Sequence, residues 1–147
     1  MRRVCTAVLI SGRGSNLKAL ISACAEPEFP AELALVVSNR ADAAGLQHAR
    51  AAGIPTRIIP HTEFGSRDSF DVAVDAALCD ARVELVCLAG FMRILSEGFV
   101  LKWLGRMINV HPSLLPSFKG AHVHERAIES GVRITGCTVH FVTPEMD

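Results

Sequence analysis

Short apolar runs alternate with segments of helical spacing along nearly the whole chain, and this alternation limits the fold more than any other feature of the sequence. Val4–Ile10 reads as a buried strand, and Ser15–Ala25 as a helix opened by Ser15 and closed near Pro27. Glu32–Ser38 ("ELALVVS") is a second strand, Ala41–Ala52 a helix closed by Gly53, and Thr56–Ile59 a short third strand. Ser66–Asp80 carries Phe70, Val74, Ala77 and Leu78 at helical spacing. Glu84–Ala89 ("ELVCLA") is apolar almost without a break, as expected of a parallel strand buried on both faces. A short helix at Ser96–Leu104, a strand at Arg106–His111, a helix at Val123–Ser130 and a last strand near Thr135–Val142 follow. The succession predicts one α/β domain with an open, doubly wound, mostly parallel sheet. With 147 residues, half of them hydrophobic, the chain can bury a real core. In such sheets ligands bind beyond the carboxyl ends of the strands.

Three features lie at those predicted ends. The first is "ISGRGSN", Ile10–Asn16. Gly12 and Gly14 permit a tight turn, and the amides of Gly14, Ser15 and Asn16 would open the helix, where free N–H groups favour an anion such as phosphate. No Gly-Lys-Ser/Thr follows, and Leu17 stands where a dinucleotide fingerprint has its third glycine. The plain alternative is a tight turn with Ser15 as N-cap. Asn39-Arg40, after the second strand, keeps open a non-catalytic or NADP-binding module in which Arg40 meets a 2′-phosphate.

The second feature is "LAGFMRILS", Leu88–Ser96. It leaves its strand through Gly90 and offers Phe91, Met92, Ile94 and Leu95 with loop amides and carbonyls, a surface suited to a flat heteroaromatic ring. Packing of these residues under a loop is the alternative. The third is "INVHPSLLP", Ile108–Pro116. Asn109 and His111 share a strand face, and the prolines end the strand. His111 is suited to general acid or base work, and Asn109 can donate to an oxygen developing negative charge. The pairing suits attack on a carbonyl. No G-x-S-x-G accompanies it, which favours direct transfer between two bound substrates over a covalent enzyme intermediate. Asp147, after the last strand, could supply a carboxylate that favours the His111 imidazolium. A histidine used only for packing is the alternative. A metal cluster of His111, His122, His124 and His140 has no H-x-x-x-H pair or cysteine partner behind it, and no metal is expected.

Lys+Arg and Asp+Glu each number 15, which argues against nucleic acid or an anionic membrane as the main partner. Cys5, Cys24, Cys79, Cys87 and Cys137 lie in apolar stretches with no C-x-x-C, the pattern of buried free thiols in a reducing cytoplasm. The opening "MRRVCTAVLISGRGS" imitates a signal peptide only faintly, since its apolar run is short and feeds a glycine loop.

Together "LISGRGSNLKAL", "SNRADAAGLQHARAAGIPT", "LAGFMRILS", "NVHPSLLPSFKGAHVHERAI" and "GCTVHFVTPEMD" resemble the folate-dependent glycinamide ribonucleotide formyltransferases of purine biosynthesis. The resemblance runs from Val4 to Asp147 in order and spacing, and it implies the formyltransferase fold with a Rossmann-like N-terminal half. It implies transfer of the formyl group of 10-formyltetrahydrofolate, a co-substrate, to the amine of glycinamide ribonucleotide. Asn109 and His111 match the catalytic pair, and Asp147 the aspartate that tunes the histidine. Gly14, Ser15 and Asn16 match the loop holding the ribose phosphate. Met92, Arg93, Ile94 and Leu95 match the segment around the pterin, with Arg67 and Asn109 as further folate contacts. Thr143, Pro144, Glu145, Met146 and Asp147 match the loop closing over that ring. His122 and His140 match histidines near the site, and Leu115–Pro116 is expected to be cis.

The family pattern continues past the position of Asp147 with a Gly-Pro turn, a strand and a long helix. Residues 1–147 are therefore expected to lack part of the amine substrate's site and to show weak or no transfer alone, with the full-length protein active. A cytoplasmic monomer or weak homodimer is expected. "SFKGA" (Ser117–Ala121) also fits the related formyltetrahydrofolate hydrolase, though "HPSLLP" fits the transferase better. The methionyl-tRNA formyltransferase should show a basic surface that this neutral chain lacks.

Overall fold

The structure, a computed structural model, describes residues 1–145. Six strands form one sheet: β1 (Val4–Ile10), β2 (Ala31–Ser38), β3 (Thr56–Ile58), β4 (Leu85–Leu88), β5 (Met107–His111) and β6 (Thr138–Phe141). Their order is β3-β2-β1-β4-β5-β6, so the chain winds outward from β1 first one way and then the other. The α/β architecture is the one the alternation predicts. Helices α1 (Ser15–Ala25) and α2 (Gly45–Ala51) connect the first three strands, while α3 (Arg67–Asp80) and α4 (Glu97–Lys102) connect β3 to β4 and β4 to β5. A further helix, α5 (Val123–Ser130), precedes β6.

Period-two alternation sorts the strand residues between two cores. Ala7 and Leu9 of β1, with Val86 and Leu88 of β4, pack against Phe70, Val74, Phe99 and Trp103 from α3 and α4. Val8 and Ile10 face Leu17 and Leu46 from α1 and α2. Side chains buried to this degree contribute about 1.5–3 kcal/mol each through lost water contact. Local signals set the helix starts. Ser66 caps α3 in a reciprocal capping box with Ser69, and the Ser96 hydroxyl accepts the Phe99 N–H at the head of α4.

Four differences from the sequence reading have physical causes. The helix expected from Ala41 begins at Gly45, because Arg40 pairs with Asp42 and the preceding residues form a turn. The last strand is shorter than Thr135–Val142 and antiparallel to β5, with His111 opposite Thr138. The chain leaves β5 and re-enters β6 at the same end of the sheet, so the two strands must run in opposite directions. Ser15 is not the N-cap of α1: Gly14 occupies that position in the left-handed region. The cysteines are free, but only Cys87 is buried, while Cys79 and Cys137 are exposed. Burial, helped by Cys24, pushes the Cys87 thiol up to about 11. Among the described residues no helix is long and apolar enough to cross a membrane.

Candidate active site

Strands β1, β4 and β5 are neighbours and parallel, so their carboxyl ends share one edge of the sheet. At one strand spacing per step, β1 and β5 lie roughly 10 Å apart. The three sequence features therefore meet there. Two surface cavities lie elsewhere: one, of about 450 Å³, lies between α3 and α4, lined by Asp71, Asp75 and Phe99, and the other, of about 650 Å³, is lined by Arg2, Cys5 and Glu84.

The first loop is built by close backbone contact. Gly14 has φ +74°, and a Cβ on it would stand 2.7 Å from the Gly45 Cα. A Cβ on Gly45 would meet the Ile10 side chain at 2.8 Å. The Gly45 N–H donates to the Gly12 carbonyl at 3.0 Å, which fastens the loop to the start of α2. Lys18 N–H to Gly14 O, at 2.9 Å, is the bond that opens α1, and no side chain caps the helix. The amides of Ser15 and Asn16 thus precede the helical ladder, on an exposed turn, where they can serve an anion.

The loop after β4 is tied to the first loop. The Met92 N–H donates to the Ser11 hydroxyl at 2.8 Å, and Ser11 is 5% exposed. Of the four apolar residues expected at the cleft edge, two point outward: Met92 is 78% and Ile94 57% exposed. Phe91 and Leu95 instead pack into the core beside α3, with Phe91 stacked on Phe70. The Arg93 Nε is buried without a partner. Arg67 is exposed at the first position of α3.

On β5, Asn109 and His111 project to one face, as their spacing requires. His111 is buried, and its Nε2 donates to the Phe118 carbonyl at 2.9 Å. In the neutral ring this leaves the lone pair on Nδ1. No side-chain hydrogen bond to Asn109 is made among the described residues. Directly across from Asn109 stands His140 of β6, whose Nδ1 donates to the Phe141 carbonyl at 3.2 Å and whose Nε2 is buried without a partner.

The proline segment is held from both sides. The Thr138 hydroxyl donates to the Ser113 carbonyl at 2.7 Å and accepts the Leu115 N–H at 3.0 Å. The buried Ser113 hydroxyl donates to the Ser117 carbonyl at 2.5 Å. Leu115–Pro116 is cis.

Val142 packs on the same core as Phe91 and Leu95, and its N–H reaches the Met107 carbonyl, at the end of β5 away from His111. Thr143, Pro144 and Glu145 continue from there as an exposed turn, with Thr143 Oγ1 donating to the Glu145 carbonyl at 3.4 Å. Met146 and Asp147 lie outside the described residues. His122 and His124 are exposed, and no group of three His, Cys, Asp or Glu among the described residues could hold a metal. Arg40, the residue that would meet a 2′-phosphate, is paired through two 3.0 Å bonds with Asp42.

Residues 4–147 match the formyl transferase family. The chain belongs to it. This formyl transferase chain is 60% identical over 145 residues to the trifunctional purine biosynthetic protein adenosine-3 of Gallus gallus, covering 99% of itself and 14% of that protein. It is 47% identical over 140 residues to the phosphoribosylglycinamide formyltransferase of Escherichia coli, with 95% of itself and 66% of the relative covered. The crystal structure of glycinamide ribonucleotide transformylase 1 from Symbiobacterium toebii superposes with a TM-score of 0.95 at 43% identity, covering 99% of this chain and 68% of that one. The chain thus spans a small part of the trifunctional relatives and about two thirds of the single-function ones.

Sequence reasoning missed Ser11, Gly45, Ser113 and Thr138, and named Asn39 only as the neighbour of Arg40. Gly45 carried a signal, a glycine five residues after a turn-forming Asn-Arg pair. Buried serines and threonines carry none, because they cannot be told by type from exposed ones.

Proposed function

We propose that this formyl transferase chain transfers the formyl group of 10-formyltetrahydrofolate to the amine of glycinamide ribonucleotide. The observation that carries the reading is the placement of Asn109 and His111 on one face of β5, at the sheet edge shared with the glycine loop and the β4 loop. The family and the names of its relatives supply the formyl group and the amine.

In this reading the amine attacks the formyl carbon directly. Negative charge grows on the formyl oxygen, and an N–H of Asn109, uncommitted among the described residues, stabilises it. The attacking nitrogen becomes cationic and must lose a proton, while the folate nitrogen must gain one as its bond to carbon breaks. His111 mediates that exchange as general acid and base. Asp147 is the proposed carboxylate favouring the imidazolium. The amides of Gly14, Ser15 and Asn16 hold the ribose phosphate at the head of α1. Met92, Arg93, Ile94 and Leu95, with Arg67, Asn109 and the segment Thr143, Pro144, Glu145, Met146 and Asp147, hold the folate. The exposed Met92 and Ile94 side chains support an apolar contact with its ring. His140, facing Asn109, is a third polar group beside the reacting atoms. The enzyme works in the cytoplasm as a monomer or weak homodimer, with small molecules as its partners.

The test is an absorbance assay of folate deformylation on the full-length protein, with and without glycinamide ribonucleotide. Turnover that requires the ribonucleotide and yields its formamide is expected. Turnover that ignores the amine and releases formate would sink the transferase reading and indicate a hydrolase.

A further inference from the structure

Four side-chain or loop groups line up across the carboxyl ends of four adjacent strands. His61 follows β3, Asn39 follows β2, Ser11 follows β1 and Met92 follows β4, which is their order in the sheet. The Asn39 Nδ2 donates to His61 Nδ1 at 3.1 Å. The Ser11 hydroxyl donates to Asn39 Oδ1 at 2.6 Å and accepts the Met92 N–H at 2.8 Å. Ser11 and Asn39 are 5% and 3% exposed, so water does not compete for these bonds.

Each bond sets the direction of the next. Acceptance by His61 Nδ1 orients the Asn39 amide with its oxygen toward Ser11. That oxygen takes the Ser11 proton, which leaves a hydroxyl lone pair for Met92. The belt therefore has one consistent polarity from end to end, and removing a middle member leaves its neighbours buried and unpaired.

The position of Ser11 gives the belt a use. Its backbone leads directly into Gly12 and the anion-binding turn, while its hydroxyl holds the amide of the first outward-pointing residue of the β4 loop. We propose that Ser11, with Asn39 behind it, is a positioning residue that couples the two substrate loops, so that ordering of the phosphate turn also orders the Met92–Leu95 segment. The identity of the two ligands rests on the formyl-transfer reading; the coupling itself does not.

Two arms test it. In the first, amide hydrogen exchange is followed on unliganded protein. Ser11→Ala should speed exchange at Met92 about tenfold or more and also loosen the Gly12–Leu17 turn. His61→Ala, a gentler cut at the half-buried end of the belt, should move the same amides less. Exchange unchanged at Met92, or raised at Met92 with the turn unaffected, would overturn the coupling. Should Ser11→Ala fail to fold, the exchange pattern of His61→Ala decides the coupling by itself.

The second arm measures kinetics on the full-length enzyme. Loss of coupling should raise KM for both substrates, by roughly fivefold or more each, with a smaller change in kcat. A fall in kcat with both KM values unchanged would mark a merely structural role and overturn the proposal. A wild-type enzyme without turnover would sink formyl transfer instead, and the exchange arm would then decide the belt.

Discussion

The two sides of the candidate site are built differently. Its proposed binding side, from β3 across to β4, consists of parallel strands, of which β1 and β4 are the most deeply buried, with hydrogen bonds running from the half-buried His61 through the buried Asn39 and Ser11 to the Met92 N–H. The side that carries Asn109 and His111 borders an antiparallel strand whose Val139 and Phe141 are 61% and 60% exposed. There the proline segment is held mainly by backbone carbonyls, through His111, Ser113 and Thr138. In the proposed reaction, closely packed parallel strands would hold two substrates in register, which lowers the entropy cost of bringing them together. The proposed proton-transferring group, His111, is buried on the other side, beside a strand whose outer face meets solvent.

That contrast can be broken at either side. The largest expected effect is on turnover: His111→Ala should slow formyl transfer by about 10²–10⁴-fold, the usual contribution of a positioned acid or base. Asn109→Ala should follow, with a loss of about 10²–10³-fold in kcat from one missing oxyanion donor. Steady-state kinetics on the full-length protein checks both. On the binding side, Leu46→Ala should cost about 2–5 kcal/mol of stability by denaturant unfolding, since Leu46 is fully buried under β1.

Gly14→Ala should weaken ribonucleotide binding by about tenfold or more, because its φ of +74° alone costs an L-residue about 1–2 kcal/mol and its Cβ would press on Gly45. Titration calorimetry would register the loss. Smallest is the response at the edge strand: Phe141→Ser should change stability by no more than about 0.5 kcal/mol. A loss comparable to that of Leu46→Ala would show that β6 is as firmly packed as β1 and would erase the contrast.

Thiol labelling gives a finer view of the same difference. A thiol raised to about 11 stays protonated at neutral pH, so Cys87 should label only as the solution becomes strongly alkaline. Cys79 and Cys137, both exposed, should react first. Ready labelling of Cys87 near pH 8 would mean that the sheet opens far more often than its burial implies.

Much of this was legible in the chain. Val4–Ile10 and Glu84–Ala89 announced buried parallel strands because local pattern and final environment agree. The glycine loop and the Asn-x-His spacing could be read because both depend on neighbours within a few residues. The antiparallel turn of β6 could not, since it depends on where a long excursion through Pro112, Pro116 and α5 brings the chain back. Nor could the belt: the Ser11–Met92 bond joins residues 81 apart, and a serine at a strand end gives no sign of its partner. Of the four apolar residues expected at the cleft edge, Phe91 and Leu95 instead found a place beside Phe70 that no periodicity disclosed.

In the proposed reaction, substrate binding and proton transfer reside in separable parts of the molecule. Tetrahydrofolate binding to the His111→Ala protein tests it most directly. An affinity within about twofold of the parent protein is expected while turnover collapses, the mark of an interaction used in the transition state and not in binding. Loss of binding in step with loss of turnover, or a variant that no longer folds, would contradict it and make His111 a structural histidine.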